Sequence, residues 1–235
     1  MIFSLLFVNI EYMGTLFVVA TPIGNLEDIT QRGLRILKEV NLIACEDTRI
    51  TKRLLNRYQI DTQTVSYHQH SKIGKIDFLI EKLKSGNDIA VVSDAGTPGI
   101  SDPGGLLVQA AANEGIKVES VPGPSAVIAA LSISGLPTDR FLFLGFLPHK
   151  KGRETLIKEI IASKYLVVFY ESVHRIIKAL EQLSEAKLER EIVVCRELTK
   201  KFETVYRGKV DDVLKELQAD EVKGEFVVII NKNIK

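Results

Sequence analysis

Ser93-Asp-Ala-Gly-Thr-Pro-Gly-Ile-Ser-Asp-Pro-Gly-Gly105 is the stretch on which the reading turns. Its thirteen residues hold four glycines, two prolines and two aspartates, which is too long and too specialised for a plain connection. Glycine lets a backbone approach a ligand closely, and proline stiffens the path. The apolar run 88–92 before it reads as a short buried strand, and 106–114 after it as a helix. Strand, Gly/Pro loop and helix form the repeating unit of an α/β sheet, where ligands sit beyond the carboxyl ends of the strands.

Working outward, the same alternation recurs. Toward the amino end lie a helix over 73–84, a basic amphipathic helix over 48–57, a strand at 42–45, a helix beginning at Thr30 and a strand at 16–20. Toward the carboxyl end, 118–121 is a strand. The break Gly135-Leu-Pro137 follows, and after it strands at 141–145 and 166–170 alternate with helices from about 154 and over 173–183. Runs at 192–195 and 203–207 read as strands, 210–217 as a helix and 226–230 as a closing buried strand. This pattern predicts an α/β protein with largely parallel sheet, divided into domains 13–134 and 135–235. Residues 1–12 form an extension. They are apolar but lack a basic leader and a small-residue cleavage site, and Glu11 interrupts them, so they are read as an upstream arm and not an export signal.

The 235 residues carry 31 Lys and Arg against 30 Asp and Glu, a net charge of +1. A protein that holds nucleic acid by bulk charge carries a strong basic excess, so any polyanion partner here must meet a local patch. Two cysteines, Cys45 and Cys195, each in an apolar run, are read as buried core residues and not as a disulfide framework. Four histidines without Cys/His spacing make no case for zinc. Nothing reaches the ~20 uninterrupted apolar residues of a membrane span, and a cytoplasmic, membrane-free location is expected.

Two further Gly/Pro loops end strands in the first half: Thr21-Pro-Ile-Gly-Asn25 and Val121-Pro-Gly-Pro-Ser-Ala126. None of the three loops matches the P-loop or the dinucleotide fingerprint, and none contains Lys or Arg, which phosphate cradles usually supply. A ligand held by backbone groups, small hydroxyls and Asp94 would be uncharged or zwitterionic, such as a nucleoside–amino-acid conjugate.

Together with Val19-Ala-Thr-Pro-Ile-Gly-Asn-Leu-Glu-Asp-Ile-Thr30, Cys45-Glu-Asp-Thr-Arg49, Ser66-Tyr-His-Gln-His70, Ser134-Gly-Leu-Pro-Thr-Asp139 and Phe169-Tyr-Glu-Ser-Val-His-Arg175, these loops resemble the tetrapyrrole-methylase-like superfamily of S-adenosylmethionine (SAM) methyltransferases, and within it the family that methylates small-subunit ribosomal RNA. The resemblance runs from about Gly14 to the carboxyl end. It implies two α/β domains with mixed or parallel sheets, SAM in the interdomain cleft, a homodimer, and 2′-O-methylation of a cytidine ribose in the decoding region of 16S rRNA, with the small ribosomal subunit as partner. Carried over by motif, the SAM loops fall on Ile23 and Gly24, on Asp94, Ala95, Gly96, Thr97 and Pro98 with Ile100 beyond, and on Ser125 and Ala126. Thr97 stands where the tetrapyrrole enzymes have an aspartate.

A ribose hydroxyl is a poor nucleophile, so a general base would help, although positioning supplies much of the acceleration. The resemblance puts Glu171 near the methyl group, which makes it the first candidate, with Arg175 beside it. The competing reading is an i,i+4 ion pair at a helix start. Glu46 and Arg49, with Asp47 between them, form a second constellation toward substrate, against which stands simple helix capping. Phosphate contacts are expected from Lys150 and Arg153 in His149-Lys-Lys-Gly-Arg153, and from Arg196 and Lys200 in the basic stretch 196–209. Tyr67, His68 and His70 are candidates for a base contact. Two other readings remain: a small-molecule methyltransferase of the tetrapyrrole type, and a non-catalytic RNA-binding assembly factor.

Overall fold

Residues 13–67, 73–102, 104–220 and 222–233 are described by a computed structural model. They fall into two units, one built up to Pro22 and over Asp28–Gly123, the other from Ile23–Glu27 and from Pro124 onward. The expected break at Gly135 is therefore displaced to follow Gly123. The cause is a helix at 126–134 whose Val127, Ala130 and Leu131 pack with Leu166, Val168, Val227 and Ile229 of the second sheet.

In the first unit, strands β1 (Leu16–Val19), β2 (Leu42–Cys45), β3 (Thr64–Ser66), β4 (Ile89–Val92) and β5 (Val118–Val121) form a wholly parallel sheet in the order β3-β2-β4-β1-β5. Successive residues of a strand point to opposite faces, so a strand covered on both sides must be apolar throughout. In β4, Ile89 and Val91 enter one core while Ala90 and Val92 enter the other, and β2 divides in the same way. Helices α1 (Gln31–Glu39) and α2 (Thr48–Arg57) cover one face, and α3 (Ile73–Lys84) and α4 (Gly104–Asn113) the other. Right-handed crossovers dictate this division, because the winding runs from β1 out to β3 and then reverses through β4 to β5. The loop after β4 thus lies between strands β1 and β2, whose own connections leave toward the opposite face. That is the switch point at which open α/β sheets bind ligands.

The second unit has the mixed sheet that the family resemblance implies, and not the largely parallel one that the strand–helix alternation suggests. Strands β6 (Phe141–Phe146), β7 (Leu166–Ser172), β8 (Ile192–Arg196), β9 (Thr204–Gly208) and β10 (Glu225–Ile230) are ordered β6-β7-β10-β8-β9. Only β6 and β7 pair in parallel. One reversal explains the rest. The helices α6 (Arg153–Ala162), α7 (Ile176–Glu185) and α8 (Val210–Ala219) each join strands of like direction, whereas β8 and β9 are joined by a turn. That hairpin flips β9 and β10, and β10 then inserts between β7 and β8. The three helices cover one face through Ile157, Ile160, Leu180, Leu183, Val213 and Leu217, and α5 (Ala126–Ser134) packs on the other.

Two elements escaped the periodicity. The helix α5 is apolar nearly all round, so it has no stripe to detect. Strand β3 is three residues at a sheet edge. Among the described residues, no helix is long and apolar enough to cross a membrane.

Candidate cofactor and substrate surfaces

At the carboxyl end of the parallel sheet, the loop after β4 is pinned to the end of β1 by a two-way bridge. Thr21 N donates to Gly96 O at 2.9 Å, and Gly96 N donates to Thr21 O at 3.0 Å. The Thr21 hydroxyl donates to Ser93 O at 3.1 Å, and Ser93 Oγ donates to Ala95 O at 3.2 Å. Gly96 sits at φ 83° and Gly99 at φ 87°, which only glycine adopts without strain. Asp102 closes the far side by accepting from Gly99 N at 2.7 Å and Gly104 N at 2.8 Å. Ala95 and Ile100 remain exposed on this frame, while Gly96 and Pro98 are buried and Thr97 is half-buried.

The Asp94 carboxylate accepts Asp47 N at 3.0 Å, which ties the loop to the end of β2. Burial, reinforced by the neighbouring Asp47 charge, pushes the Asp94 carboxyl above the usual range. Asp47 behaves in the opposite way. Its side chain accepts Arg49 N at 2.8 Å as the cap of α2, and Arg49 Nη2 lies 2.6 Å from its other oxygen. The guanidinium beside it holds its carboxyl down at about 2. Asp47 is thus the capping residue, Arg49 is the exposed charge, and Glu46 is half-buried at the strand end.

The sequence reading assigned Ile23 and Gly24 to a cofactor loop. In the structure they belong to the second unit, where Ile23 packs against the core under α5. A Cβ on Gly24 would lie 2.5 Å from Lys200 Cγ, 2.7 Å from Thr199 Oγ1 and 2.8 Å from Leu198 O. Asn25 N also donates to Thr199 Oγ1 at 3.1 Å. Close packing against the β8–β9 turn therefore requires glycine here on its own. Ser125 flanks α5 without a side-chain cap bond, and Ala126 starts the helix, whose Val127 N donates to Tyr170 Oη at 3.2 Å.

The family model of the tetrapyrrole (corrin/porphyrin) methylases matches residues 15–214. The ribosomal RNA small subunit methyltransferase I of Thermotoga maritima is 43% identical over 93% of this chain and 99% of that protein. Its namesake in Halalkalibacterium halodurans is 48% identical over 94% of this chain and 76% of that protein. The chain belongs to the tetrapyrrole methylase family. The fold agrees: diphthine synthase superposes with a TM-score of 0.74 at 15% identity, over 94% of this chain and 92% of that one. A cobalt precorrin-4 methyltransferase superposes at 0.68 and 16%, over 92% and 94%.

The chain is a SAM-dependent methyltransferase. The loop after β4 suits such a ligand, since it offers exposed small and apolar side chains, a partly buried carboxylate and no cation of its own. Other expectations need correction. Glu171 is 1% exposed with both oxygens occupied: Oε1 lies 2.9 Å from Arg175 Nε and accepts Ser172 N at 2.9 Å, and Oε2 lies 3.3 Å from Arg153 Nη1. A carboxylate so engaged is not placed to take a proton from a substrate hydroxyl, and Arg175 is its ion-pair partner. Arg153 is 5% exposed and so not available to an external phosphate. Lys200 Nζ is held between Glu197 at 2.9 Å and Glu225 at 2.8 Å. Arg196 Nε donates to Lys223 O at 2.7 Å, leaving the residue half-buried.

Lys150 is exposed, as a phosphate contact requires, together with His149 and Lys151. Tyr67 is 2% exposed in the first unit's core, which removes it as a stacking surface. His68 and His70 lie outside the described residues. The sequence reading missed Asp102 as a clamp of the β4 loop, although an aspartate between Gly99 and Gly104 is a readable side-chain turn. It also missed Gln182, which accepts Arg153 Nε at 2.7 Å from a distant helix and leaves no local trace.

Proposed function

We propose that this chain transfers the methyl group of SAM to a ribose 2′-oxygen of a cytidine in 16S rRNA, within the small ribosomal subunit and in the cytoplasm. The observation that carries the reading is the 43–48% identity, over nearly the whole chain, to proteins named ribosomal RNA small subunit methyltransferase I. The solved neighbours named for precorrin-4, diphthine and uroporphyrin share the fold at 15–20% identity, and a fold does not choose a substrate.

When bound, SAM supplies an electrophilic methyl on a sulfonium. The chain's own residues do the rest. On the first unit, Asp94, Ala95, Gly96, Thr97, Pro98 and Ile100 form the cofactor-holding surface we propose, with Glu46 just past the neighbouring strand end and Arg49 in the first turn of α2 facing substrate. On the second unit, Gly24 lets the chain pack closely against the β8–β9 turn, and Lys150 and Lys151 meet RNA phosphates. With Glu171 engaged in ion pairs, in-line positioning of the hydroxyl is the main source of acceleration in this reading.

A homodimer is part of the proposal. It is supported by the apolar edge strand β6, which exposes Phe141, Leu142 and Phe146, and by Ile128 and Ile133 on α5. Sedimentation equilibrium tests it, and a monomer at micromolar concentration would remove it. The activity is tested with small subunits from cells lacking the chain, incubated with purified protein and SAM. The expected product is one cytidine whose 3′ bond resists alkaline hydrolysis. Methylation of a porphyrinoid with none of the subunit, or subunit binding without SAM binding, would overturn the reading.

A further inference from the structure

Two-residue alternation along β7 carries Glu171 to the face that buries Val167 and Phe169, so a carboxylate ends among apolar side chains. Charge buried in such a place has to be paired. Arg153, first residue of α6, and Arg175, preceding α7, supply two guanidinium groups for one carboxylate. Their remaining donors point to a role beyond pairing. Arg175 Nη1 donates to Leu147 O at 2.9 Å, and Arg153 Nη1 donates to Pro148 O at 3.1 Å. Those carbonyls open the 147–152 loop, which presents His149, Lys150 and Lys151 to solvent and closes on Gly152 at φ 84°. The Arg175 guanidinium also lies over the Phe146 ring at 6.0 Å, at the end of β6.

We propose that Glu171 is a positioning residue for RNA binding: it anchors two arginines that grip the first carbonyls of the 147–152 loop and so hold Lys150 and Lys151 in a fixed place. The inference rests on the reading that this loop meets RNA phosphates. It assigns the most buried acid among the described residues of the second unit to substrate affinity and not to proton transfer.

The test uses Glu171→Gln, which keeps shape and loses charge, and Arg175→Met, which frees the Leu147 carbonyl and leaves the Arg153 pair. Two readouts separate positioning from a merely structural role. Native-state trypsin cleavage after Lys150 and Lys151, followed without RNA, should quicken about tenfold in Glu171→Gln as the loop opens locally. The KM for small subunits should rise about tenfold as phosphate contacts lose their register, with kcat at saturating subunits within threefold of wild type and SAM affinity unchanged. Arg175→Met should move both readouts the same way by less, and it decides the matter if Glu171→Gln does not fold. Combining Glu171→Gln with Lys150→Ala and Lys151→Ala should add little to KM, because the lysines it positions are gone. Unchanged trypsin protection and KM in a folded variant overturn the proposal. A fall of about 100-fold in kcat with KM and protection unchanged also overturns it, because that is the mark of a proton acceptor. If the loop loosens but the double lysine variant binds subunits like wild type, the loop does not meet RNA and this proposal is overturned, whereas methylation of the subunit by that same variant still upholds the proposed function.

Discussion

The two units hold their functional loops by opposite means. In the first, the loop after β4 is shaped by backbone turns, a main-chain bridge to Thr21 and two aspartates that accept N–H groups. In the second, the loop after β6 is held by a buried Arg–Glu–Arg cluster. Neutral backbone groups and carboxylates engaged by N–H donors suit a zwitterionic cofactor, and a cationic loop suits a polyanion. The difference also predicts how each will fail. A buried charge cluster couples its function to stability, whereas a frame of backbone turns around one polar side chain lets that side chain change at little cost.

The largest expected effect comes from breaking the second unit's cluster. Glu171→Ala leaves two guanidinium groups without a counter-charge, and such a loss costs about 3–5 kcal/mol in denaturant unfolding. A cost under about 1 kcal/mol would mean that water already serves those arginines, and the contrast between the units would collapse. Next is Gly24→Ala, whose methyl meets the carbonyl of Leu198 and the side chains of Thr199 and Lys200. Overpacking of this kind costs about 1–3 kcal/mol. Wild-type stability would show that the β8–β9 turn gives way easily.

Asp94→Asn sharpens the comparison from the other side. Because the Asp94 carboxyl is pushed up by burial, its ionised form is disfavoured in the folded chain. Its contribution to stability is therefore full below the unfolded value and is lost as pH rises through the folded one. The asparagine, still able to accept Asp47 N–H, should melt at or slightly above wild type at neutral pH. SAM affinity by calorimetry should fall about tenfold with loss of a charged hydrogen bond. Unaltered affinity would detach Asp94 from the site. This is a cleaner probe than Gly96→Val, which would strain a residue at φ 83° and disturb the bridge to Thr21.

The smallest effect is chemical. Cys195, in the core of the second sheet, is pushed by burial up to about 11, and Cys45 in the first sheet is also raised by burial. Both thiols should resist a disulfide reagent at pH 8 in the native chain and react at once on unfolding. Raised values disfavour the thiolates, so stability should decline as pH climbs from the unfolded thiol range toward 11. Fast native labelling of Cys195 alone would reveal local opening of the second unit.

Much of this was legible from residues alone. The parallel first sheet followed from the apolar strands β1, β2 and β4 alternating with helices, since period and length survive in any context. The β4 loop announced itself by composition, and the cap at Asp47 by its place before a helix. Other features had no local signature. The apolar helix α5 carries no stripe, and its packing on the second sheet moved the unit boundary to Gly123. The single hairpin between β8 and β9 turned three strand pairings antiparallel without altering the βαβ pattern around it.

The sequence by itself determined which residue types stand at strand ends: glycines and aspartates after β4, and lysines and arginines after β6. Only the tertiary structure decided which charges face water. Arg153 and Lys150 are three residues apart in one basic loop, yet one is buried against Glu171 and Gln182 while the other is exposed. The physical reason is that burial and pairing are set by groups distant along the chain. A carboxylate turned inward by strand alternation draws a guanidinium from the start of the helix before its strand, and no spacing within the loop records that demand.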